Sequence, residues 1–343
     1  MVIESVAPSR IDLAGGTLDI YPLYLFEEGG ITVNAAITVQ SKVRLTTNGD
    51  GHVRLVSLDS GMEEEAESVD ALALGGPMDL VARLVRFYRP SVGVTIETHN
   101  DAPHGSGLGA SSSLLIATTG ALLKLNGGGP DPMTMIGYSA DLEAQNVRVP
   151  TGRQDYYPAC FGGINAIWFD VKGDVLEPLD VGEDFLREFE DRLVLSFTGE
   201  CRFSGTSNWN MLKMYIDDLG TTRANMEAIK ATAVGMREAF IDHDLDRFGE
   251  LLAEEWANRC RLAEGVTNDC IEGLMAAARE AGAISSRVCG AGGGGCMTTF
   301  TAPGRRPMVE VALEAAGARA IPYRIAREGL QVRVVEPWRH LHA

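Results

Sequence analysis

The residues Pro103-His104-Gly105-Ser106-Gly107-Leu108-Gly109-Ala110-Ser111-Ser112-Ser113 run without a break into the apolar stretch Leu114 to Leu125. A glycine-rich loop that opens a helix suits one kind of chemistry. Glycines let backbone N–H groups converge on an anion, and the helix N-terminus adds about half an elementary positive charge. A phosphate group fits that description. Spacing argues against two familiar phosphate loops, since no Lys follows the final glycine as in the Walker pattern and no acidic residue sits about 20 positions on to hold a ribose. A loop that merely turns the chain into a buried helix is the competing reading.

Two further glycine segments flank this one in sequence. Near the N-terminus the chain reads Ala7-Pro8-Ser9-Arg10-Ile11-Asp12-Leu13-Ala14-Gly15-Gly16-Thr17-Leu18-Asp19, with Arg10 nine positions before Asp19. Near the C-terminus it reads Arg287-Val288-Cys289-Gly290-Ala291-Gly292-Gly293-Gly294-Gly295-Cys296-Met297. Alone, each is compatible with a tight turn, where glycine supplies positive φ. In this order the three segments resemble the motifs of the GHMP kinases, the family of galactokinase, homoserine kinase, mevalonate kinase and phosphomevalonate kinase. The second family motif is Pro-x-Gly-Ser/Ala-Gly-Leu-Gly-Ser-Ser-Ala; Ala110 and Ser112 depart from it, and Ser111 aligns with a family serine. The resemblance spans nearly the whole sequence.

It also covers Glu143-Ala-Gln-Asn-Val-Arg-Val-Pro-Thr-Gly-Arg-Gln-Asp155-Tyr-Tyr, continued by Cys160-Phe161-Gly162-Gly163-Ile164-Asn165. This stretch resembles the heptose phosphate kinase and fucokinase-like branch, which carries Gly-Lys-Gln-Asp-Gln-Tyr and then Phe-Gly-Gly. Arg153 replaces the Lys and Tyr156 the second Gln. Asp155 follows Glu143 by twelve positions, with a Pro and a Gly ending the helix between them, so a helical Glu and a loop Asp can return to one cleft.

The resemblance implies an α+β, two-lobed fold, with an N-terminal lobe of the ribosomal protein S5 domain 2 type and a C-terminal ferredoxin-like lobe. It implies ATP and Mg²⁺ as cofactors. ATP phosphates would sit on Pro103, Gly105, Ser106, Gly107, Leu108, Gly109, Ala110, Ser111 and Ser112. Ser111 and Glu143 would ligate Mg²⁺, one hard oxygen each. Asp155 would be the catalytic carboxylate. As a general base it needs reach to the acceptor hydroxyl and a nearby cation to keep it ionised, for which Arg10 is the candidate. A sugar or sugar phosphate would meet Gly16, Thr17, Asp19, Asp155, Gly292, Gly293 and, through a phosphate, Arg202. Asp19 can accept from two adjacent hydroxyls. Leu18 stands where the family has a different residue before that Asp, which leaves the choice of sugar open. The plainer readings also stay open: Asp155 and Asp19 as turn residues, Glu143 as a solvated helix Glu, Arg202 as a strand-end Arg, His104 as a solvated spacer.

At 343 residues and 45% apolar, the chain is long enough for two lobes sharing one extended core, or two domains. A net charge of -17 argues against nucleic acid and anionic membranes as partners, since such binding relies on Lys and Arg. No apolar run approaches the roughly 20 residues of a membrane span, and the start lacks a signal-peptide layout, so a cytoplasmic protein is expected. A homodimer is left open. The six cysteines show no metal or disulfide spacing and read as reduced, mostly buried thiols.

Positioning these groups requires strands at Val2 to Ala7, Gly30 to Asn34, Ile37 to Thr46, His52 to Ser57, Val92 to Glu97 and Gly162 to Phe169. Helices are predicted at Met78 to Tyr88, about Ala110 to Leu125, and about Met133 to Val147, the last with Asp131 as cap and Pro132 in its first turn. A strand from Leu193 to Phe197 opens the second half, followed by long helical patterns between Asn208 and Ala281 and strands on both sides of the glycine turn. The lobe boundary is placed near residues 180 to 192, giving units 1–185 and 186–343. Glu63 to Glu65 and Asp174 to Glu190 read as solvated surface.

Three functions follow from this reading. The leading one is an ATP-dependent sugar kinase acting on an anomeric hydroxyl. The second is a decarboxylase of the mevalonate diphosphate type, whose anionic substrate would demand more cationic residues. The third is an ATP- and sugar-binding sensor without turnover.

Overall fold

A computed structural model of the chain describes residues 1–129, 131–199 and 204–335, the side chains of 204–207 excepted. The first part runs β1 (Val2–Ala14), α1 (Leu23–Phe26), β2 (Gly30–Thr47), β3 (Val53–Ser57), β4 (Glu63–Ala66), α2 (Asp79–Tyr88), β5 (Val94–Asn100), α3 (Ala110–Leu125), α4 (Pro132–Val147), α5 (Tyr156–Phe161), β6 (Ile164–Asp170) and β7 (Gly173–Pro178). The second part runs α6 (Glu183–Arg192), β8 (Leu193–Phe197), α7 (Ser204–Ile216), α8 (Thr222–Ile241), α9 (Leu245–Cys260), α10 (Asp269–Ala281), β9 (Ala283–Val288), β10 (Cys296–Thr301), α11 (Arg306–Ala315), β11 (Arg319–Ala320) and β12 (Gln331–Val335).

β1 and β2 are the spine of the first sheet, whose order is β12-β1-β2-β5-β3-β4, with β6 and β7 branching from β2. β1 extends past the expected end at Ala7 because its two halves differ in surroundings. Up to Ala7 exposure alternates; from Ala7 to Ala14 every residue is buried, and with both faces covered the period-2 signal vanishes. The same holds for β2, where the small buried Ala35 and Ala36 carry one strand through the expected gap. Register shifts between Pro8 and Ser9, and between Asp12 and Ala14, bend β1 where it carries Arg10 and Asp12.

α3 is apolar nearly all round and is buried as such a helix must be. α4 starts as expected, with the Asp131 carboxylate accepting from the N–H groups of Met133 (3.0 Å) and Thr134 (3.1 Å) and Pro132 in the first turn.

The second sheet has the order β11-β8-β10-β9, all pairs antiparallel. Strands β8, β9, β10 and β11, with helices after the first and third, thus form a β-α-β-β-α-β unit in spatial order 4-1-3-2, which is the ferredoxin-like arrangement. β12 then returns to the first sheet and pairs with β1. One apolar cluster joins Ile11 and Leu13 of β1 and Val33 of β2 to Met236 of α8, Phe248 of α9 and Phe300 of β10. The two halves therefore share a core.

Two surface expectations change. The Asp174 side chain is 3% exposed, accepting from the Tyr157 hydroxyl (2.6 Å) and pairing with Arg153 (3.1 Å), and Phe189 of α6 is wholly buried. Residues 174 to 190 are a strand and an amphipathic helix packed on the core, which a count of acidic residues disguised. Among the cysteines, Cys289 and Cys296 are buried, Cys160 and Cys260 half-buried and Cys270 exposed, so burial is less general than expected; Cys201 lies outside the described residues. Among the described residues no helix is long and apolar enough to cross a membrane.

Candidate active site

The three glycine segments converge on one cleft of about 580 Å³. Strand periodicity puts Arg10 and Asp12, two residues apart on β1, on the same face, and both line the cleft. The loop before α3 forms one wall, with Pro103, His104, Gly105, Ser106, Gly107, Gly109, Ala110, Ser111 and Ser112 all lining it. Leu108 does not line it; its side chain is fully buried, and its carbonyl accepts from the Arg10 N–H (2.9 Å). Gly109, with φ +70°, precedes α3 as its N-cap and offers no side chain to the N–H groups of its first turn.

The loop can hold this path only as glycine. Gly107 has φ +71°, and a Cβ there would lie 2.6 Å from the Cys289 carbonyl oxygen at the end of β9. The third glycine turn thus abuts the loop, a contact reinforced by the Cys296 N–H donating to the Ser106 carbonyl (2.6 Å). A Cβ on Gly109 would lie 2.9 Å from Asp155 Oδ2. That contact places the carboxylate directly beside the helix start.

Asp155 immediately precedes α5. Arg10 Nε and Nη2 both lie 2.7 Å from its Oδ1, and Arg10 Nη1 donates to the Gly107 carbonyl (2.5 Å). Arg10 therefore ties the carboxylate to the loop. Burial pushes the Asp155 carboxyl above its ordinary range, and the Arg10 charge opposes that push while Asp12 adds to it.

Glu143, near the end of α4, is 6% exposed. Its carboxylate accepts from Ser111 Oγ (2.5 Å), from Ser112 Oγ (3.0 Å) and from the Tyr156 hydroxyl. Burial raises its carboxyl, the hydroxyl donors oppose this, and Asp155 raises it further. No cation among the described residues pairs with it. A buried carboxylate and a serine hydroxyl facing the cleft form a hard-oxygen donor set, which suits a divalent ion that completes its shell with water and phosphate oxygens. Among the described residues no group of three His, Cys, Asp or Glu could hold a metal by itself.

On the other side lie Gly16, Thr17 and Asp19. Asp19 is 2% exposed and accepts from the Gln154 N–H (3.0 Å). Burial, with Asp155 and Asp12 nearby, pushes its carboxyl up to about 6, although the Gln154 bond opposes the rise. Gly292 lines the cleft. Gly293 is not among the lining residues; its N–H donates to the Val266 carbonyl (2.6 Å), so it serves packing. Arg202 lies outside the described residues.

Beneath this side runs a chain of buried charge that motif reading missed. Arg287 Nη2 lies 3.0 Å from Asp12 Oδ2 and Nη1 lies 3.4 Å from Glu255 Oε2. Glu255 also pairs with Arg259 (2.6 Å), and Arg259 reaches the Gly16 carbonyl (2.7 Å) and Thr17 Oγ1 (3.2 Å). Arg287, Glu255 and Arg259 are 0% exposed. A signal existed: Phe248, Leu251, Leu252, Glu255 and Arg259 fall on one i, i+3, i+4 stripe of α9, where charge on an apolar face marks a function.

A glycine loop on a helix start, with a carboxylate beside it, defines a phosphate-handling enzyme of the small-molecule kinase class. Residues 74–163 match the family model for the GHMP kinases N terminal domain and residues 236–318 that for GHMP kinases C terminal. The chain is 29% identical to D-glycero-alpha-D-manno-heptose 7-phosphate kinase of Campylobacter jejuni, over 98% of this chain and 99% of that one. It is 26% identical to a mevalonate kinase of Thermococcus sibiricus, over 97% and 98%. Its fold matches the crystal structure of a D-glycero-D-manno-heptose 1-phosphate kinase from Bacteroides thetaiotaomicron with a TM-score of 0.79 at 25% identity, covering 98% of this chain and all of that one. The chain belongs to the GHMP kinase family.

Proposed function

We propose that the protein is an ATP-dependent sugar kinase that moves the γ-phosphate to a hydroxyl, the anomeric one, of a sugar or sugar phosphate such as a heptose 7-phosphate. The observation that carries the reading is the contact of Asp155 with Gly109, which puts a carboxylate beside the phosphate loop. The likeness to a protein named as a heptose 7-phosphate kinase supports the substrate class.

Phosphoryl transfer has a loose transition state, so the protein mainly aligns the acceptor and balances charge. The N–H groups of residues 105–112 receive the polyphosphate at the start of α3. Asp155, fixed by Arg10 at 2.7 Å, accepts the proton of the attacking hydroxyl. Burial raises the Asp155 carboxyl and Arg10 opposes that rise by favouring the ionised form, while the Arg10 link to Gly107 ties base and phosphate loop together. Asp19, Thr17 and Gly16 hold the sugar hydroxyls. Ser111 and Glu143 would hold Mg²⁺, which when bound neutralises charge on the nucleotide phosphates. We place this nucleotide site in the unit 1–185 and the glycine turn that closes it in 186–343, in a cytoplasmic enzyme.

The decarboxylase reading asks for a substrate bearing carboxylate and diphosphate. Among the described cleft-lining residues Arg10 is the one Lys or Arg, and Asp155 and the Gly107 carbonyl already engage it. A polyol beside Asp19 suits the site better than a carboxylate does.

An ADP-release assay over heptose 7-phosphate, fucose, galactose and arabinose, with mevalonate as control, tests the proposal. Wild type should turn over a sugar, and Asp155→Asn should lose about 10²- to 10⁴-fold in kcat while still binding ADP. Unchanged turnover in that variant removes Asp155 from the mechanism.

A further inference from the structure

The turn that delivers Asp19 to the cleft is strained and externally held. Thr17 has φ +81°, a left-handed conformation that a β-branched residue rarely adopts. Such a residue is strained and persists only where its surroundings over-determine it. Within the turn, the Leu18 N–H donates to the Gly15 carbonyl (3.1 Å) and the Ile20 N–H to the Thr17 carbonyl (3.2 Å). From outside the turn, Met211 Sδ accepts from Thr17 Oγ1 (3.7 Å) and the Gln154 N–H donates to Asp19 (3.0 Å), while Arg259, 242 residues further along the chain, grips the Gly16 carbonyl at 2.7 Å and Thr17 Oγ1 at 3.2 Å.

Arg259 is itself fixed. Glu255, one turn back on α9, accepts from its Nε (3.0 Å) and Nη2 (2.6 Å). Glu255 in turn contacts Arg287, which is locked to Asp12 on the strand that leads into the same turn. The chain Asp12–Arg287–Glu255–Arg259–Gly16/Thr17 therefore closes on itself through β1. None of Arg287, Glu255 and Arg259 lines the cleft. A buried ion network is a poor source of stability, since desolvation offsets most of its attraction, so a fixed geometry is its better-supported use.

We infer that Arg259 is a positioning residue: resting on the kinase reading above, it clamps the strained Gly16–Thr17 turn from α9 so that Asp19 meets the sugar in one orientation. A guanidinium is required for this, because its planar fork serves Glu255, the Gly16 carbonyl and Thr17 at once, whereas an ammonium is a point donor.

The test compares wild type with Arg259→Lys and Arg259→Met, using heptose 7-phosphate and the other panel sugars as acceptors. Arg259→Met should raise the sugar KM about 10- to 100-fold and leave the ATP KM within about twofold, as expected for the loss of a charge-assisted hydrogen bond. Arg259→Lys, which keeps the charge opposite Glu255, should fall between, and its sugar KM decides the test should Arg259→Met fail to fold. Equal losses for sugar and ATP, or an unchanged sugar KM, overturn the inference. If wild type turns over no sugar, the kinase reading fails, and amide hydrogen exchange still judges the clamp. In Arg259→Lys the segment 15–20 should exchange faster while 103–112 stays at the wild-type rate; an unchanged segment 15–20 overturns the clamp.

Discussion

Replacing Asp19 by Asn probes the sugar side of the cleft without touching the phosphate loop. Asp19 is buried beside Asp155 and Asp12, and its carboxyl rises from 3.8 to about 6. Each tenfold gain in proton affinity on folding corresponds to about 1.4 kcal/mol, so the ionised group costs the free enzyme ~3 kcal/mol at pH 8. Above pH 6 both folded and unfolded chains are ionised and the full penalty applies; as pH falls through 6 the folded state takes up the proton first and the penalty shrinks, and it is gone below 3.8. Asn carries no such penalty and keeps an oxygen for the Gln154 N–H, which donates at 3.0 Å. Asp19→Asn should therefore be more stable than wild type by ~3 kcal/mol at pH 8 and by about half of that at pH 5. At about 2 °C per kcal/mol the Tm rises by about 6 °C at pH 8. Urea and thermal unfolding at the two pH values measure the gap, and sugar KM should rise at least about tenfold as the price of that stability. A variant no more stable at pH 8, or a gap of equal size at both pH values, refutes the argument.

Arg10→Met should move the acid limb of the kcat/KM profile to higher pH, by about tenfold or more in proton concentration, since Arg10 is the charge that opposes the burial of Asp155. An unmoved limb would mean that the titrating group is another residue. Gly107→Ala should lower Tm and weaken ADP binding by at least about tenfold, because the residue has φ +71° and its Cβ would lie 2.6 Å from the Cys289 carbonyl. Wild-type affinity in that variant would show that the loop's path is not what binds phosphate.

The local features were legible in the sequence because they are short-range. The helix α3 and its loop, the Asp131 cap of α4 and the helical placement of Glu143 depend on neighbours within a few residues. Fold class was legible through the motifs. The second half of β1 was not, because burial on both faces erases the alternation by which a half-exposed strand is read. Asp174 was misjudged for a related reason: its acidic neighbours are exposed, but its partners, Tyr157 and Arg153, come from an earlier segment.

For the site, the sequence alone determined the residue types: a loop that can wrap an anion, a Glu and an Asp that can share a cleft, and an Arg in the first strand. Tertiary structure alone decided who meets whom. Arg10 finds Asp155 across 145 positions, and Arg259 finds Gly16 across 243. Such pairs leave no periodic trace, because the contact is made by the packing of α9 and β9 against β1 rather than by anything local to either residue. Only the folded chain converts Glu255 and Arg259, an ordinary i, i+4 pair on a helix, into part of a wholly buried support for Asp19.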